Sequence, residues 1–348
     1  MERERRKIGV ALVGCGRISE RHLTAFKDNS ELCEALAVCD VIKERAEKAA
    51  EISGAKPYTS YQEMLEHPGI EVVFIATPSG THPELGIAAA RAGKHVVTEK
   101  PIGITLESVD ELIKTCDDKN VRLFVIKQNR LNATMQLLKR AFEKGRFGKV
   151  YLAQVNVFWQ RPQEYYEQAK WRGTWEFDGG AFMNQASHYI DALYWLLGDA
   201  ESVMAYTATM ARRIEAEDTG IAVIKFRNQA IASVNVTMLA YPKNFEGSIT
   251  IIGEKGTVKI GGIALNRVEH WQFSDYDDDD KLILESNYNP PNIYGFGHTA
   301  YFKNVFDVLS GKAQPETHGR AGRKSLELIL AIYRSSRDGK KISLPLNF

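Results

Sequence analysis

The first 126 residues of this 348-residue chain alternate short runs rich in Val, Ile and Leu with amphipathic stretches of helical spacing. The apolar runs are residues 7–13, 35–40, 71–76, 95–98 and 122–126, and the helical stretches are 20–29, 43–53, 83–92 and 105–119. Strands that alternate with helices form βαβ units, and continuous apolar strands suit a parallel sheet covered on both faces. The pattern therefore predicts an α/β domain with a doubly wound parallel sheet over residues 1–126.

The pattern changes after residue 126. Residues 150–159, 201–211, 220–226, 230–239, 245–252 and 257–260 show the period-2 alternation of strands, and few helices separate them. Helical stretches occupy residues 133–144, 187–197 and 323–337, and a short strand is predicted at 342–346. This predicts a second, α+β domain over residues 127–348, with a large, mainly antiparallel open sheet and a terminal helix that returns toward the first domain.

Charge and composition exclude several classes of protein. Lys and Arg number 45 against 44 Asp and Glu, which argues against a broad basic face for nucleic acid. No apolar run approaches the roughly 18 residues that cross a bilayer, and the mixed-charge amino terminus is unlike a signal peptide. The four cysteines include no CxxC pair, which predicts reduced thiols in a cytoplasmic protein and no zinc site. The acidic run 277–280 is interpreted as a solvated loop, because it lacks the alternation and glycine of a calcium loop. No metal site is predicted.

A glycine turn joins the first strand to the first helix. Gly14 permits the tight turn, and Gly16 lets a pyrophosphate approach the backbone at the helix amino terminus. Ser19 replaces the third glycine of the dinucleotide fingerprint. The predicted contacts of this Rossmann motif are Gly14, Gly16, Arg17, Ile18 and Asp40.

Asp40 ends the second strand, where a carboxylate can accept hydrogen bonds from ribose hydroxyls and repel a 2′-phosphate. This favours NAD over NADP, although the nearby Lys43 leaves some tolerance for NADP. The alternative interpretation of Asp40 is a polar cap of the strand end.

Two further segments, Glu99-Lys100-Pro101 and residues 179–191, resemble the Gfo/Idh/MocA family of sugar and inositol oxidoreductases. Residues 127–130, 158–166, 171–178 and 241–248 are similar to one group within it, the WlbA-type UDP-N-acetyl-2-amino-2-deoxyglucuronate 3-dehydrogenases. The resemblance implies a Lys-Pro bond that is often cis and NAD as the cofactor. The further NAD contacts that it implies are Thr77, Pro78, His82, Glu99, Lys100, Gln128, Trp171 and Arg172. Ordinary core packing is the alternative for Trp159, Trp171 and Trp175.

Lys100, Asn184 and His188 are the predicted catalytic residues. Lys100 directly follows a strand at its carboxyl end, where it can donate to a substrate oxygen or accept its proton. The alternative is a surface lysine. Asn184 and His188 have the i, i+4 spacing of one helix face, and histidine exchanges protons near neutral pH. Lys100 is the first choice of general base and His188 the second, and Asp191 is expected to support a neighbour.

In the family that the chain resembles, many inositol- and glucose-type members carry Asp at the position of Asn184. The amide removes a negative charge that would repel an acidic sugar, although it also takes a carboxylate partner from His188. The arginine fork suits carboxylates and diphosphates. The predicted substrate contacts are Lys100, Gln160, Arg161, Tyr165, Asn184, Ser187, His188, Lys243 and Asn244, with Tyr166 as a further candidate.

The resemblance implies NAD-dependent oxidation of the C3 hydroxyl of UDP-N-acetyl-2-amino-2-deoxy-D-glucuronate in bacterial lipopolysaccharide O-antigen biosynthesis. It further implies 2-oxoglutarate as a candidate hydride acceptor, a downstream aminotransferase, and a homotetramer that uses one face of the second sheet. Two alternatives stay open at this point. One is a dehydrogenase of a free sugar or inositol, and the other is a non-catalytic NAD-binding redox sensor.

Overall fold

The computed structural model describes residues 6–289 and 297–346, which form two compact units. The first unit contains the described residues up to Gln128 together with His298–Arg323. The second contains the described residues of Asn129–Gly297 and those from Lys324 onward. The sequence pattern assigned everything after residue 126 to one domain, whereas in the structure His298–Arg323 clusters with the first unit.

The first unit contains a six-stranded parallel sheet in the order β3-β2-β1-β4-β5-β6, which confirms the doubly wound prediction. Its strands are β1 (Ile8–Val13), β2 (Cys33–Cys39), β3 (Lys56–Tyr58), β4 (Val72–Ile75), β5 (His95–Thr98) and β6 (Leu123–Val125). The strand order reverses between β1 and β4. Ligands of such sheets bind beyond the carboxyl ends of the strands at this reversal, so a ligand is expected at the loops after β1, β4 and β5.

The second unit contains an eight-stranded sheet in the order β13-β12-β11-β7-β10-β9-β8-β14. Its strands are β7 (Val150–Phe158), β8 (Ala200–Ala208), β9 (Thr219–Phe226), β10 (Ile231–Thr237), β11 (Glu246–Gly253), β12 (Gly256–Gly261), β13 (Arg267–Phe273) and β14 (Ile342–Ser343). All its named strand pairs are antiparallel except β7 with β10, which confirms a mainly antiparallel sheet. Strand β13 was not predicted, because it lies at the sheet edge with mostly exposed side chains.

Helices follow the apolar periodicity closely. They are α1 (Ser19–Asp28), α2 (Lys43–Ser53), α3 (Tyr61–Leu65), α4 (His82–Arg91), α5 (Leu106–Asp118), α6 (Ala133–Glu143), α7 (Gln163–Glu167), α8 (Ser187–Leu197), α9 (Ile283–Ser286), α10 (Gly297–Leu309) and α11 (Gly319–Asp338). A π-helical turn, Ala181–Gln185, directly precedes α8. Among the described residues, no helix has both the length and the hydropathy to cross a membrane.

The acidic run at 277–280 is not a solvated loop. Asp277 caps a short 3-10 helix, Asp278–Leu282, and side chains at the end of α6 and just beyond it pair with the acidic run. Lys144 Nζ lies 2.6 Å from Asp277, and Arg146 Nη1 donates to Asp280 Oδ1 at 2.6 Å. Partial burial opposes ionisation of Asp280, but the hydrogen bonds from Arg146 and its neighbours lower its pKa to about 2. Basic side chains therefore neutralise the run.

Candidate functional site

The glycine turn after β1 has the geometry that the fingerprint requires. Gly14 has φ +92°, and a Cβ there would lie 2.6 Å from the Ala76 carbonyl carbon, so only glycine fits. A Cβ at Gly16 would meet no protein atom within 4 Å, so the missing side chain leaves open space beside the backbone. Ser19 Oγ donates to the Gly16 carbonyl at 2.6 Å and fastens the turn in place of the third glycine. The backbone here can accommodate a pyrophosphate.

Asp40 is buried at the end of β2 and holds the same turn. Its Oδ2 accepts the Cys15 N–H at 2.8 Å, and its Oδ1 accepts the Ile42 N–H at 2.9 Å. The strand-cap interpretation of Asp40 is therefore correct. Each carboxylate oxygen can accept a second hydrogen bond, so ribose recognition by Asp40 stays a compatible prediction.

The loop after β4 contacts the segment after β5 through His82. Its ring nitrogens lie 2.9 Å from the Thr77 carbonyl and 2.8 Å from the Pro101 carbonyl. Burial lowers the pKa of His82, although both carbonyl contacts act in the opposite direction. Of the three residues predicted to border the cofactor in this loop, Thr77 and Pro78 are half-buried, while His82 is fully buried and braces Pro101.

Lys100 lies two residues beyond β5, is half-buried, and is joined to Pro101 by a cis peptide bond, as the resemblance implied. The preceding Glu99 was predicted to contact the cofactor, but both its carboxylate oxygens bind protein groups. Oε2 accepts the Lys100 backbone N–H at 3.2 Å, and Oε1 lies 3.0 Å from His22 Nε2 and 3.3 Å from His298 Nε2.

His22, Glu99 and His298 are all buried, and each offers one ligand atom within 4.8 Å of the others, so the cluster is also a candidate metal site. Burial acts to raise the pKa of Glu99, but hydrogen bonds from the two histidines hold it well below the usual range. Sequence reasoning missed both histidines. They lie on α1 and α10, 77 and 199 residues from Glu99, and no spacing rule connects them.

Gln128, predicted to contact the nicotinamide side, is buried at the start of the short 3-10 helix Gln128–Leu131 that follows β6. The predicted cofactor residues of the first unit therefore lie on the loops after β1, β2, β4, β5 and β6. Arg17 is exposed and Ile18 is half-buried at the start of α1. All of these loops leave the carboxyl ends of strands in one parallel sheet.

In the second unit the π-helical turn presents Asn184 to a carboxylate that the sequence analysis did not single out. Asn184 Nδ2 donates to Asp178 Oδ1, and Asp178 Oδ2 accepts the Gly173 N–H at 2.7 Å. Asp178 is 2% exposed. Asn184 itself carries no charge, as expected, but the Asp178 carboxylate lies against its amide. The only signal was the position of Asp178 directly before the paired glycines at 179 and 180.

His188 and Ser187 are buried in the first turn of α8. Contrary to the prediction from their i, i+4 spacing, Asn184 and His188 do not share one continuous α-helix, because Asn184 lies in the π-helical turn and α8 begins at Ser187. Asp191 has the expected supporting role, since its carboxylate accepts two hydrogen bonds from Arg130, at 2.8 and 2.9 Å.

The predicted substrate residues around Arg161 form one connected cluster. Arg161 donates to Asn244 Oδ1 at 3.2 Å and to Gln185 Oε1 at 3.0 Å, and Gln185 donates to the Tyr165 hydroxyl at 3.2 Å. Asn244 Oδ1 also accepts the Gln160 N–H at 2.9 Å. Gln185 was not predicted, yet it links the arginine to the tyrosine.

Two guanidinium groups contact the same aromatic ring. Arg172 lies 4.3 Å and Arg161 5.4 Å from the centroid of the Tyr165 ring, and Arg172 also donates to the Tyr165 carbonyl at 2.6 Å. Two guanidinium cations held against one ring produce a positive local potential, and this potential favours the binding of an anion. Lys243, also predicted here, is exposed.

The three tryptophans at positions 159, 171 and 175 differ in exposure. Trp159 is buried, 5.1 Å from the Arg161 guanidinium carbon, and fits the core-packing alternative. Trp171 is half-buried, 5.7 Å from the Arg172 guanidinium carbon. Trp175 is 47% exposed and stands edge-on to Tyr333, so core packing does not describe it.

Glu217 accepts a hydrogen bond from the backbone of the π-helical turn, and the sequence pattern did not predict it. Its Oε1 accepts the Phe182 N–H at 2.8 Å and the Tyr333 hydroxyl at 3.0 Å. A Cβ at Gly180 would lie 1.6 Å from Glu217 Oε2, so glycine is required there. Burial raises the pKa of Glu217 to about 7. The carboxyl group therefore titrates close to neutral pH while in contact with the turn that contains Asn184.

Two family models match the chain. The NAD-binding Rossmann fold of an oxidoreductase family matches residues 8–127, and the C-terminal alpha/beta domain of the same family matches residues 139–344. The crystal structure of the WlbA dehydrogenase from Bordetella pertussis in complex with NADH and UDP-GlcNAcA is 55% identical, covers 99% of each chain and has a TM-score of 0.96. Its counterpart from Chromobacterium violaceum, in complex with the same two ligands, is 52% identical, covers 99% of this chain and 97% of that chain, and has a TM-score of 0.95. Myo-inositol 2-dehydrogenase of Thermotoga maritima is 27% identical over 259 residues, 72% of this chain and 74% of that protein.

Proposed function

The chain belongs to the Gfo/Idh/MocA family of NAD-dependent oxidoreductases, and we propose that it oxidises the C3 hydroxyl of UDP-N-acetyl-2-amino-2-deoxy-D-glucuronate to a ketone. The observation that carries this proposal is the 55% identity, over nearly the full length of both chains, to a dehydrogenase crystallised with NADH and UDP-GlcNAcA. A free sugar or inositol as substrate rests on more distant relatives, of which the inositol enzyme is 27% identical.

The charges of the second unit support an acidic, phosphorylated substrate. Arg161 and Arg172 flank the Tyr165 ring, and Asn244 lies beside them, where its Oδ1 accepts hydrogen bonds from the Gln160 N–H and from Arg161. A uronate and a diphosphate both match the planar donor fork of arginine. The proposed substrate contacts are Lys100, Gln160, Arg161, Tyr165, Asn184, Ser187, His188, Lys243 and Asn244.

Oxidation of a secondary alcohol breaks the C3–H bond as hydride leaves and the O–H bond as a proton leaves. NAD, held by the loops at the carboxyl ends of the first sheet, is the hydride acceptor. Lys100 is the proposed acceptor of the hydroxyl proton, and His188 is the second candidate. Asn184, held by Asp178, is proposed to orient the sugar through its amide.

The experiment that tests this function is turnover of UDP-GlcNAcA with NAD, followed by NADH absorbance and by the mass of the product. We expect NADH to form together with a sugar nucleotide that has lost two hydrogens, and NMR of the product to locate the ketone at C3. A parallel reaction with myo-inositol is the control. Oxidation of the inositol alone, or no consumption of UDP-GlcNAcA with or without 2-oxoglutarate, contradicts the proposal.

The role of Lys100 is tested by Lys100→Ala and Lys100→Arg. Both variants are expected to lose turnover, because neither keeps the primary amine that is proposed to accept the hydroxyl proton. NADH affinity, measured by fluorescence titration, is expected to stay within about twofold of the wild type, a change of only about 0.4 kcal/mol. Loss of NADH binding instead of turnover would assign Lys100 to the cofactor.

We further propose that the chain assembles as a homotetramer through the open face of the second sheet. On β8 and β9, exposed apolar residues alternate with buried ones and pair across the strands, Tyr206 with Ile221 and Met204 with Val223. Tyr206 is 74% exposed and Ile221 55%, an apolar surface that a second copy of the chain would cover. Ile221→Lys is expected to lower the mass found by analytical ultracentrifugation, and a wild-type monomer would contradict the proposal.

In the cell, a 3-keto sugar nucleotide is a substrate for transamination at the new carbonyl. We therefore propose a pyridoxal-phosphate aminotransferase as the next enzyme, in cytoplasmic synthesis of lipopolysaccharide sugars. 2-Oxoglutarate is the proposed hydride acceptor that returns NADH to NAD. Formation of 2-hydroxyglutarate in step with substrate oxidation tests this recycling, and its absence during sustained turnover would exclude it.

A further inference from the structure

We propose that His22, Glu99 and His298 form a buried hydrogen-bond network that positions Lys100 for proton transfer. The proposal rests on the proposed function, in which Lys100 accepts the hydroxyl proton. The three residues come from α1, from the segment after β5 and from α10, all within the first unit. Neither histidine was among the predicted site residues.

The contacts define which ring nitrogens carry protons. Both Nε2 atoms lie within hydrogen-bond distance of the same oxygen, Glu99 Oε1, whereas the Nδ1 atoms of His22 and His298 are buried without a hydrogen-bond partner. A buried N–H without an acceptor is costly, so each ring holds its proton on Nε2 and donates it to Glu99. Two imidazole N–H donors thus converge on one carboxylate oxygen.

The surroundings of the network are aromatic. The His22 ring stands edge-on to Phe302 at 5.3 Å and to Phe74 at 6.2 Å, and His298 contacts Phe302 at 6.5 Å. Burial in this apolar environment lowers the pKa of His22. Packing on these rings restricts both imidazoles to one orientation, so Glu99 meets fixed donors.

The second carboxylate oxygen of Glu99 connects the network to Lys100 through a hydrogen bond. The backbone N–H of Glu99 still donates to the Ile75 carbonyl of β4 at 2.9 Å, so Glu99 is held by the sheet as well as by the histidines. Its Oε2 accepts the Lys100 N–H at 3.2 Å. The Lys100 backbone, beyond the end of β5, is thereby held at one position. A carboxylate accepts stronger hydrogen bonds than a neutral acceptor does.

A bound metal ion is the competing explanation, since the three ligand atoms lie close together. The Nε2–Oε1 separations of 3.0 and 3.3 Å are those of hydrogen bonds, and Glu99 Oε2 is already in use. Metal content is therefore one arm of the test.

The experiment compares Glu99→Gln, His22→Leu and His22→Gln with the wild type. Glu99→Gln keeps an oxygen for the histidines but turns an N–H toward the Lys100 N–H. We therefore expect kcat to fall about tenfold or more, which corresponds to an activation free energy higher by at least about 1.4 kcal/mol. His22→Leu removes one donor and should lower kcat as well. His22→Gln restores an N–H near the place of Nε2 and should recover much of the loss. The matched control is Glu71→Gln, whose carboxylate also accepts a backbone N–H, from Gly9, at the amino end of the sheet.

Two readouts separate positioning from other roles. The rate at which trace acetic anhydride acetylates Lys100, measured by peptide mass spectrometry against pH, should shift in Glu99→Gln and His22→Leu and not in Glu71→Gln. The dissociation constant of NADH should stay within about twofold in all variants. A raised dissociation constant with an unchanged acetylation profile would assign Glu99 to the cofactor and overturn the proposal.

One zinc ion per wild-type chain, lost in His22→Leu, would likewise overturn the proposal in favour of a metal site. Unchanged kcat and acetylation in both Glu99→Gln and His22→Leu would also overturn it. If Glu99→Gln fails to fold, the His22 pair of variants still decides. If the wild type leaves UDP-GlcNAcA unchanged, the proposed function fails, but the acetylation profile still reports whether the network positions Lys100.

Discussion

Asn184 donates a side-chain hydrogen bond to Asp178, a carboxylate that is 2% exposed and also accepts the Gly173 N–H. The pair combines one amide with one carboxylate. In the proposed function the amide supplies a polar group for the sugar, and the carboxylate fixes the orientation of that amide. A substitution at either position changes the charge that a uronic acid would encounter.

Asn184→Asp is expected to lower kcat/KM for UDP-GlcNAcA about tenfold or more near neutral pH. Two carboxylates in contact disfavour each other's ionisation, so the pKa of one rises. Above that raised pKa the two charges repel each other, and below it the pair retains one proton. The loss should shrink as pH falls and one group becomes protonated. The control is the double variant Asp178→Asn with Asn184→Asp, which restores one amide and one carboxylate. Full activity of the single variant at every pH would show that the pair has no role.

The two glycines of the turn after β1 should respond differently to substitution by alanine. Gly14→Ala forces φ +92° on an alanine and brings its Cβ to 2.6 Å from Ala76, so the unfolding free energy should fall by more than about 1 kcal/mol. Gly16→Ala places its Cβ in open space and should leave Tm nearly unchanged while weakening NADH binding about tenfold. Thermal unfolding and NADH fluorescence measure both. Unaltered NADH affinity in Gly16→Ala would place the cofactor elsewhere.

Arg161→Met is expected to raise KM for UDP-GlcNAcA about tenfold, since a charge-assisted hydrogen bond contributes about 1.5–3 kcal/mol. The KM for NAD should change little. Arg213→Met is the control, because Arg213 pairs with Glu167 at 3.1 Å on the surface of the same unit and was assigned no ligand. Steady-state kinetics give both constants, and thermal unfolding shows whether the contacts of Arg161 to Gln185 and Asn244 also matter for stability. Equal KM values in the two variants would remove Arg161 from the substrate site.

Glu217 is expected to make stability depend on pH. Burial raises its pKa from 4.5 to about 7, so between these values the folded chain binds more protons than the unfolded chain. Its contribution to the free energy of unfolding is therefore fully present below about pH 4.5 and is lost as pH rises through 7. The slope reaches about 1.4 kcal/mol per pH unit at most.

Urea denaturation of the wild type and of Glu217→Gln across this pH range measures the effect. The difference in unfolding free energy between the two should vary with pH in the sense just given, because glutamine does not titrate. Glu215→Gln, at an exposed position two residues away, is the control and should leave the slope unchanged. A wild type and Glu217→Gln with parallel pH profiles would show that Glu217 does not titrate in this range.

Where the apolar periodicity is clear, the sequence pattern predicted the bounds of the helices and strands closely. The predicted helices at 43–53 and 187–197 coincide with α2 and α8, and the predicted strand at 95–98 coincides with β5. Strand β13 escaped because its side chains are mostly exposed and show no buried face. Helix α10 was missed, and so was the π-helical turn, since the 3.6-residue rule has no place for one.

The parallel sheet, the glycine turn with Asp40 and the order of motifs that resembles the family could all be predicted from the sequence, because each depends on neighbours in the chain. The contacts of Asp178 with Asn184, of His22 and His298 with Glu99, and of Arg161 and Arg172 with the Tyr165 ring became visible in the folded chain alone. Burial gives these polar contacts their strength. A burial environment is assembled from segments up to 199 residues apart, and no periodicity along the chain records it.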